Sequence, residues 1–150
     1  MDPLLFDSVA EACRSITPAE LGTLHLKAHR YGVKAWFGPV KPEREHYEAQ
    51  VIGAKYVPEA TVLALEIGFH AEHPKPADND LVIDRLLASE PIWRKQLGDE
   101  VIVGPFLGRD TWRRASETWA DPDLEDTELV LDMAMRLVDY FSAIEPLRLG

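Results

Sequence analysis

Residues 45–52 read Glu-His-Tyr-Glu-Ala-Gln-Val-Ile, and residues 61–72 read Thr-Val-Leu-Ala-Leu-Glu-Ile-Gly-Phe-His-Ala-Glu. In the first stretch Tyr47, Ala49 and Val51 alternate with His46, Glu48 and Gln50. In the second, Leu63, Leu65, Ile67, Phe69 and Ala71 alternate with Glu66, Gly68, His70 and Glu72. Successive side chains of a strand point to opposite faces, so this period of two predicts strands with one apolar and one polar face. Val33 to Phe37 repeats the pattern, with Val33, Ala35 and Phe37 set against Lys34 and Trp36. The breakers Gly38-Pro39-Val40-Lys41-Pro42 and Val57-Pro58-Glu59 between these runs suit hairpin loops. Three such runs in succession predict an antiparallel sheet that carries helices on its apolar face.

The flanking sequence supplies the helices. Leu4 to Arg14 is read as a first short helix. Thr17-Pro18-Ala19-Glu20 then predicts a second: Thr17 can cap, Pro18 suits the first helical position, and Glu20 completes a capping box. Leu21, Leu24, Ala28 and Tyr31 continue it at spacings of three and four, and Gly32 can end it. Beyond His73-Pro74-Lys75-Pro76, Asp78 or Asn79 can cap a helix with Val82, Ile83, Leu86 and Leu87 on one stripe. Pro91 interrupts that helix, and Ser89 can restart it with Trp93 and Leu97 inward. Val101-Ile102-Val103 is apolar enough to predict a buried strand, whereas Thr111 to Ala120 fits either a strand or a helix. The last helix is expected from about Leu124 to Glu145, with acids between Asp121 and Glu128 at its positive end and Pro146 stopping it. The expected fold is a single α+β domain over residues 1–150. It has an antiparallel sheet of four or five strands, helices packed on one face and a long C-terminal helix.

Composition limits the function classes. The 150 residues hold 16 Lys+Arg against 26 Asp+Glu, a formal net charge of −10, which opposes a general nucleic-acid binder. No apolar run approaches the roughly 18–20 residues of a membrane span. The first residues carry acids where a signal peptide needs cations, and one cysteine, Cys13, excludes an internal disulfide. These features together predict a cytoplasmic protein.

Two groups of residues carry candidate chemistry. His46, Glu48, Glu66, His70 and Glu72 lie on the polar faces of the second and third predicted strands. If the register brings those faces together, the imidazoles and carboxylates form an N/O donor set suited to zinc or manganese, or to acid–base work. Without such a register they form a solvated face of cross-strand charge pairs and need no cofactor. The second group is Arg109, Trp112 and Arg113, next to Arg114, a basic and aromatic cluster able to bind an anion. Trp36, on the polar side of its strand, is a candidate anchor for a protein partner. His25 and His29 share a helix face at i, i+4, but Leu26 stands where a zinc-protease helix needs Glu. Gly104 to Arg109 lacks both the P-loop Lys-Ser/Thr and the third dinucleotide-binding glycine, and reads as a turn.

The order helix, three strands, helix, strand, then possibly strand and long helix, resembles the bacterial type III secretion chaperone-like fold from about Pro18 to Leu147. That resemblance, shared with acidity and small size, implies a protein-interaction module that is often dimeric. The early order also resembles the core of restriction-endonuclease-like nucleases. In that family a Glu-x-Lys on the third strand positions Mg²⁺ and water. Glu48 can stand for the first acid, but Glu66-Ile67-Gly68 lacks the lysine. The sequence therefore favours a non-enzymatic interaction or chaperone-like module that self-associates as a homodimer. A small metal-dependent enzyme built on the His/Glu face is the alternative.

Overall fold

A computed structural model describes residues 1–39 and 44–148. Its elements run α1 (Leu5–Ile16), β1 (Leu24–His29), β2 (Gly32–Phe37), β3 (Glu45–Gly53), β4 (Leu63–Ala71), α2 (Pro76–Ala88), α3 (Glu90–Leu97), β5 (Ile102–Phe106), β6 (Arg109–Ala120) and α4 (Leu129–Arg148). All strand pairs are antiparallel and form one six-stranded sheet in the order β1-β2-β3-β4-β6-β5. The α+β class, the sheet and the long last helix are as expected, with six strands in place of four or five.

The apolar side of the alternation faces the helices. Val33, Ala35, Tyr47, Ala49, Leu65, Ile67, Phe69 and Ala115 are buried there with Met133, Leu137, Phe141 and Ile144 of α4. Phe141 meets the ring edges of Tyr47 and Phe37 at 4.9 and 5.3 Å between centroids. Fully burying such a side chain contributes about 1.5–3 kcal/mol. Polar anchors fix α4 across the sheet. The Tyr47 hydroxyl donates to Glu145 at 2.7 Å, and the Tyr140 hydroxyl donates to Glu117 of β6 at 2.7 Å. Arg148 bridges Glu145 and Glu45.

Three local expectations are corrected, and one left open is decided. The predicted helix from Thr17 to Gly32 is not formed: Ala19–Leu21 makes a short 3-10 turn and Leu24–His29 is the edge strand β1. Thr17 ends α1 instead of starting a helix, its hydroxyl donating to the Cys13 carbonyl at 2.6 Å. Leu24, Leu26 and Ala28 then pack toward the core at a period of two. Val101 to Val103 is not a buried strand, because β5 is the other sheet edge and Ile102 is 55% exposed. Pro146 does not stop the last helix, which runs to Arg148. Thr111 to Ala120 is strand, within β6. Val40 to Pro42 of the expected hairpin loop lie outside the described residues. No described helix is long and apolar enough to cross a membrane.

Candidate functional site

The face of the sheet turned away from the helices is where the sequence places its ionisable groups, and its centre is dry. His46 and His70 have no exposed surface, Glu66 is 1% exposed and Glu48 5%. A solvated face of charge pairs is therefore not what β3 and β4 present. Part of the cover comes from the β5–β6 hairpin: the Phe106 ring stands edge-on to His70 at 4.8 Å and to Trp112 at 5.7 Å.

Register brings the two histidines together. His46 on β3 lies directly opposite His70 on β4, with ring centroids 5.3 Å apart. Each histidine is followed two residues later, on the same face, by a glutamate: Glu48 after His46 and Glu72 after His70. Antiparallel pairing sends these glutamates to opposite sides of the histidine pair, so the two His-x-Glu units are related by a local pseudo-twofold. The donor atoms then form a ring. His46 Nε2 lies 3.2 Å from Glu48 Oε1 and 3.3 Å from Glu72 Oε2, and His70 Nδ1 lies 3.3 Å from each of the same two oxygens. All four donor atoms fall within 4.8 Å of one another.

Gly68 makes this arrangement possible. It sits opposite Glu48 and between Glu66 and His70 on the polar face. Its φ is +156°, and a Cβ there would fall 2.5 Å from the Ser116 Cα and the Ala115 carbonyl oxygen of β6. Any side chain would push β4 from β6.

Glu66 stands behind the ring. It accepts from His70 Nε2 at 2.7 Å and from the Gln50 side-chain amide at 3.0 Å, and the Ser116 hydroxyl also bonds to it. That contact fixes the His70 ring and aims Nδ1 at the centre of the four donors. Nδ1 is buried there without a hydrogen-bond partner, close to Glu48 and Glu72 but aligned with neither.

The electrostatics follow from burial and proximity. Burial alone pushes each carboxylate up and each imidazole down; the partners overturn both effects. Against burial, the His46 and His70 contacts bring Glu48 down to about 2, and they also lower Glu72. Against burial, the charge of His70 lowers Glu66. His70 is raised well above its ordinary value, despite burial, by Glu66, Glu48 and Glu72; His46 is raised by Glu48 and Glu72 against burial and against His70. Burial lowers Arg114, which faces this side from β6 opposite His70. Three carboxylates are thus balanced by Arg114 together with either two ring protons or one divalent ion.

Of the five predicted metal-site residues, His46, Glu48, His70 and Glu72 form the donor ring, and Glu66 supports it from outside. The basic cluster is divided. Arg109 lies over the Trp112 ring at 4.0 Å, while Arg113 pairs with Asp80 of α2 at 2.9 Å and bonds the Trp112 carbonyl. Trp36 is not an exposed anchor: it is 8% exposed and stacked by His25 at 5.5 Å. His25 itself bonds the Gly38 carbonyl oxygen at 2.7 Å. Cys13 is buried under α4 and its thiol is pushed up to about 12 by burial, which removes it as a nucleophile. Two contributions were not foreseen: Phe106 as cover, and the place of Arg114, read only as part of the basic cluster, opposite His70 as a buried cation. The alternation Arg114, Ser116, Thr118 was the available signal for the second.

Comparison with known proteins adds no relative: no family model matches the chain, and no curated protein or solved structure matches it. Function is therefore argued from the site.

Proposed function

We propose that this chain is a metal-binding protein that holds a divalent transition metal, zinc first, between β3 and β4. His46, Glu48, His70 and Glu72 are the ligands, and Glu66 is the positioning residue behind His70. The observation that carries this reading is the ring of donors with His70 Nδ1 aimed into it, 3.3 Å from Glu48 and Glu72 and without an aligned hydrogen bond to either. A protonated Nδ1 in that position would be a buried donor without an aligned acceptor, which costs about 1–3 kcal/mol; a metal uses its lone pair instead. Bonds of about 2.0–2.1 Å in a tetrahedral zinc centre imply ligand–ligand edges of about 3.3–3.4 Å. Four of the six separations, those around the ring, are 3.2–3.3 Å, and the two across it are within 4.8 Å, so the ion draws opposite donors together. A carboxylate accepting the outer N–H of a metal-bound histidine, as Glu66 does for His70, is the usual outer shell of such sites.

Four protein ligands leave no coordination position for a substrate or an activated water, so the metal clamps the two central strands and is not used for turnover. The test is thermal and chemical unfolding of the full chain in EDTA and in added Zn²⁺ or Mn²⁺, with elemental analysis of the purified protein. Zinc at 100 times its Kd adds about 2.7 kcal/mol to the native state. No metal content and no shift with either ion would remove this reading.

A second reading, a self-associating interaction module of the type III secretion chaperone-like kind, is favoured by one feature. Leu131 and Met135, one turn apart on α4, are 50% and 52% exposed. A mass in solution of about twice the chain's 16.9 kDa, lost in Leu131→Lys, supports it, and a monomer at all concentrations removes it.

A further inference from the structure

One strand away from the donor ring, on the same face, lies a cavity of about 510 Å³ between β5, β6 and the segment after β3. That volume is within the ~300–1,000 Å³ of small-molecule sites. Arg114, 6% exposed, lines it, and its neighbours on the face are Ser116 and Thr118. Arg114 is held by neutral acceptors only: Nη1 donates to the Ser116 hydroxyl at 2.9 Å, and Nε lies 3.4 Å from the Pro105 carbonyl oxygen. Nη2 has no hydrogen bond, and Arg114 makes no ion pair among the described residues. Glu66 offsets part of its charge without a direct ion pair, and the Nη2 edge is left open to the planar pairing with a carboxylate that guanidinium geometry favours.

We propose that this cavity binds a small organic monocarboxylate, its two oxygens on the Nη2 side of Arg114 and its body against Val57, Ile102 and Leu107. The walls choose the anion. Glu59 and Glu100 also line the cavity and are exposed, so a dianion such as a phosphate ester meets two like charges and a single cation. A monoanion with an apolar body meets Arg114 and the hydrocarbon of the walls. The bound carboxylate completes a charge-assisted pair, and Thr118 supplies a further donor. This site stands whether or not the neighbouring ring holds a metal.

The experiment is an NMR or calorimetric titration of the full chain with hexanoate, hexanol and hexylphosphonate, run both in EDTA and in zinc. The EDTA arm removes chelation by the probe as a source of signal. Saturable hexanoate binding, absent for hexanol, weaker for hexylphosphonate, and at least about tenfold weaker in Arg114→Met, is the expected result. Ile102→Trp, on the half-exposed edge strand, adds bulk to the cavity wall while keeping the Arg114 side chain, and decides the matter if Arg114→Met does not fold; it should abolish hexanoate binding. Equal binding of hexanol, tighter binding of hexylphosphonate, hexanoate binding that survives Ile102→Trp, or no hexanoate binding at all overturns the proposal.

Discussion

On the helix side of β3 and β4, Tyr47, Ala49, Ile67 and Phe69 have no exposed surface; on the other side, neither do His46 and His70. The two faces are equally dry but rest on different terms. Apolar burial is favourable whatever is dissolved in the buffer, and each group contributes nearly independently. Buried ionisable groups are stable only as a set, since removing one partner leaves another charge uncompensated. The helix face thus stabilises the fold unconditionally, whereas the polar face does so according to what sits among its donors.

The largest expected effect lies on the unconditional face. Phe69→Ala should cost about 3–5 kcal/mol by urea unfolding, and by the same amount in EDTA and in zinc. A cost that depended on zinc would mean that the faces are not separable. Next, Glu72→Gln keeps the side-chain volume and removes one ligand charge. Zinc should then no longer raise the unfolding midpoint, a loss of about 2.7 kcal/mol at a concentration 100 times the wild-type Kd. A wild-type zinc response in this variant would take Glu72 out of the ligand set. Gln50→Ala touches only the support of Glu66, and zinc affinity by competition with a chelator should fall about tenfold. An unchanged affinity would show that Glu66 needs no orienting partner.

The smallest effect concerns neither face but the start of β4. The exposed Asp121 carboxylate accepts from the backbone N–H of Thr61 at 2.9 Å and of Val62 at 2.7 Å. Those bonds lower its pKa below the ordinary 3.8. A lowered folded-state value means a contribution complete above the unfolded value and lost as pH falls through the folded one. Wild type and Asp121→Asn should therefore differ above pH ~4 and converge in more acid solution when unfolding is followed from pH 2 to 6. A constant difference across that range would contradict the assignment.

What the sequence displayed was the alternation, and alternation was enough for β2, β3 and β4. Residues 24–29 alternate as well, Leu24, Leu26 and Ala28 against His25, Lys27 and His29, yet Leu21, Leu24, Ala28 and Tyr31 fit a helical stripe equally well. Thr17-Pro18-Ala19-Glu20 favours the helix on paper, but here the Thr17 hydroxyl closes the end of α1 and the 3-10 turn that follows has no side-chain cap. Edge strands such as β5 defeat the rule that apolar means buried, because pairing to β6 satisfies one side of Ile102 and solvent takes the other.

The site was legible as a set of residue types and not as geometry. His46 and His70 stand opposite each other through a register that depends on loop lengths and on the β4–β6 contact at Gly68, neither of which has a local signature. Burial of the polar face was invisible for the same reason. Its cover includes Phe106, 36 positions beyond His70 in the chain and brought back by the β5–β6 hairpin.

The central claim is that four side chains converge on one metal. X-ray absorption at the zinc edge, on the full chain loaded with one equivalent of zinc, tests it directly. The predicted spectrum has four N/O neighbours at about 2.0–2.1 Å with the multiple scattering of two imidazoles. A six-coordinate, oxygen-only shell without imidazole would contradict it.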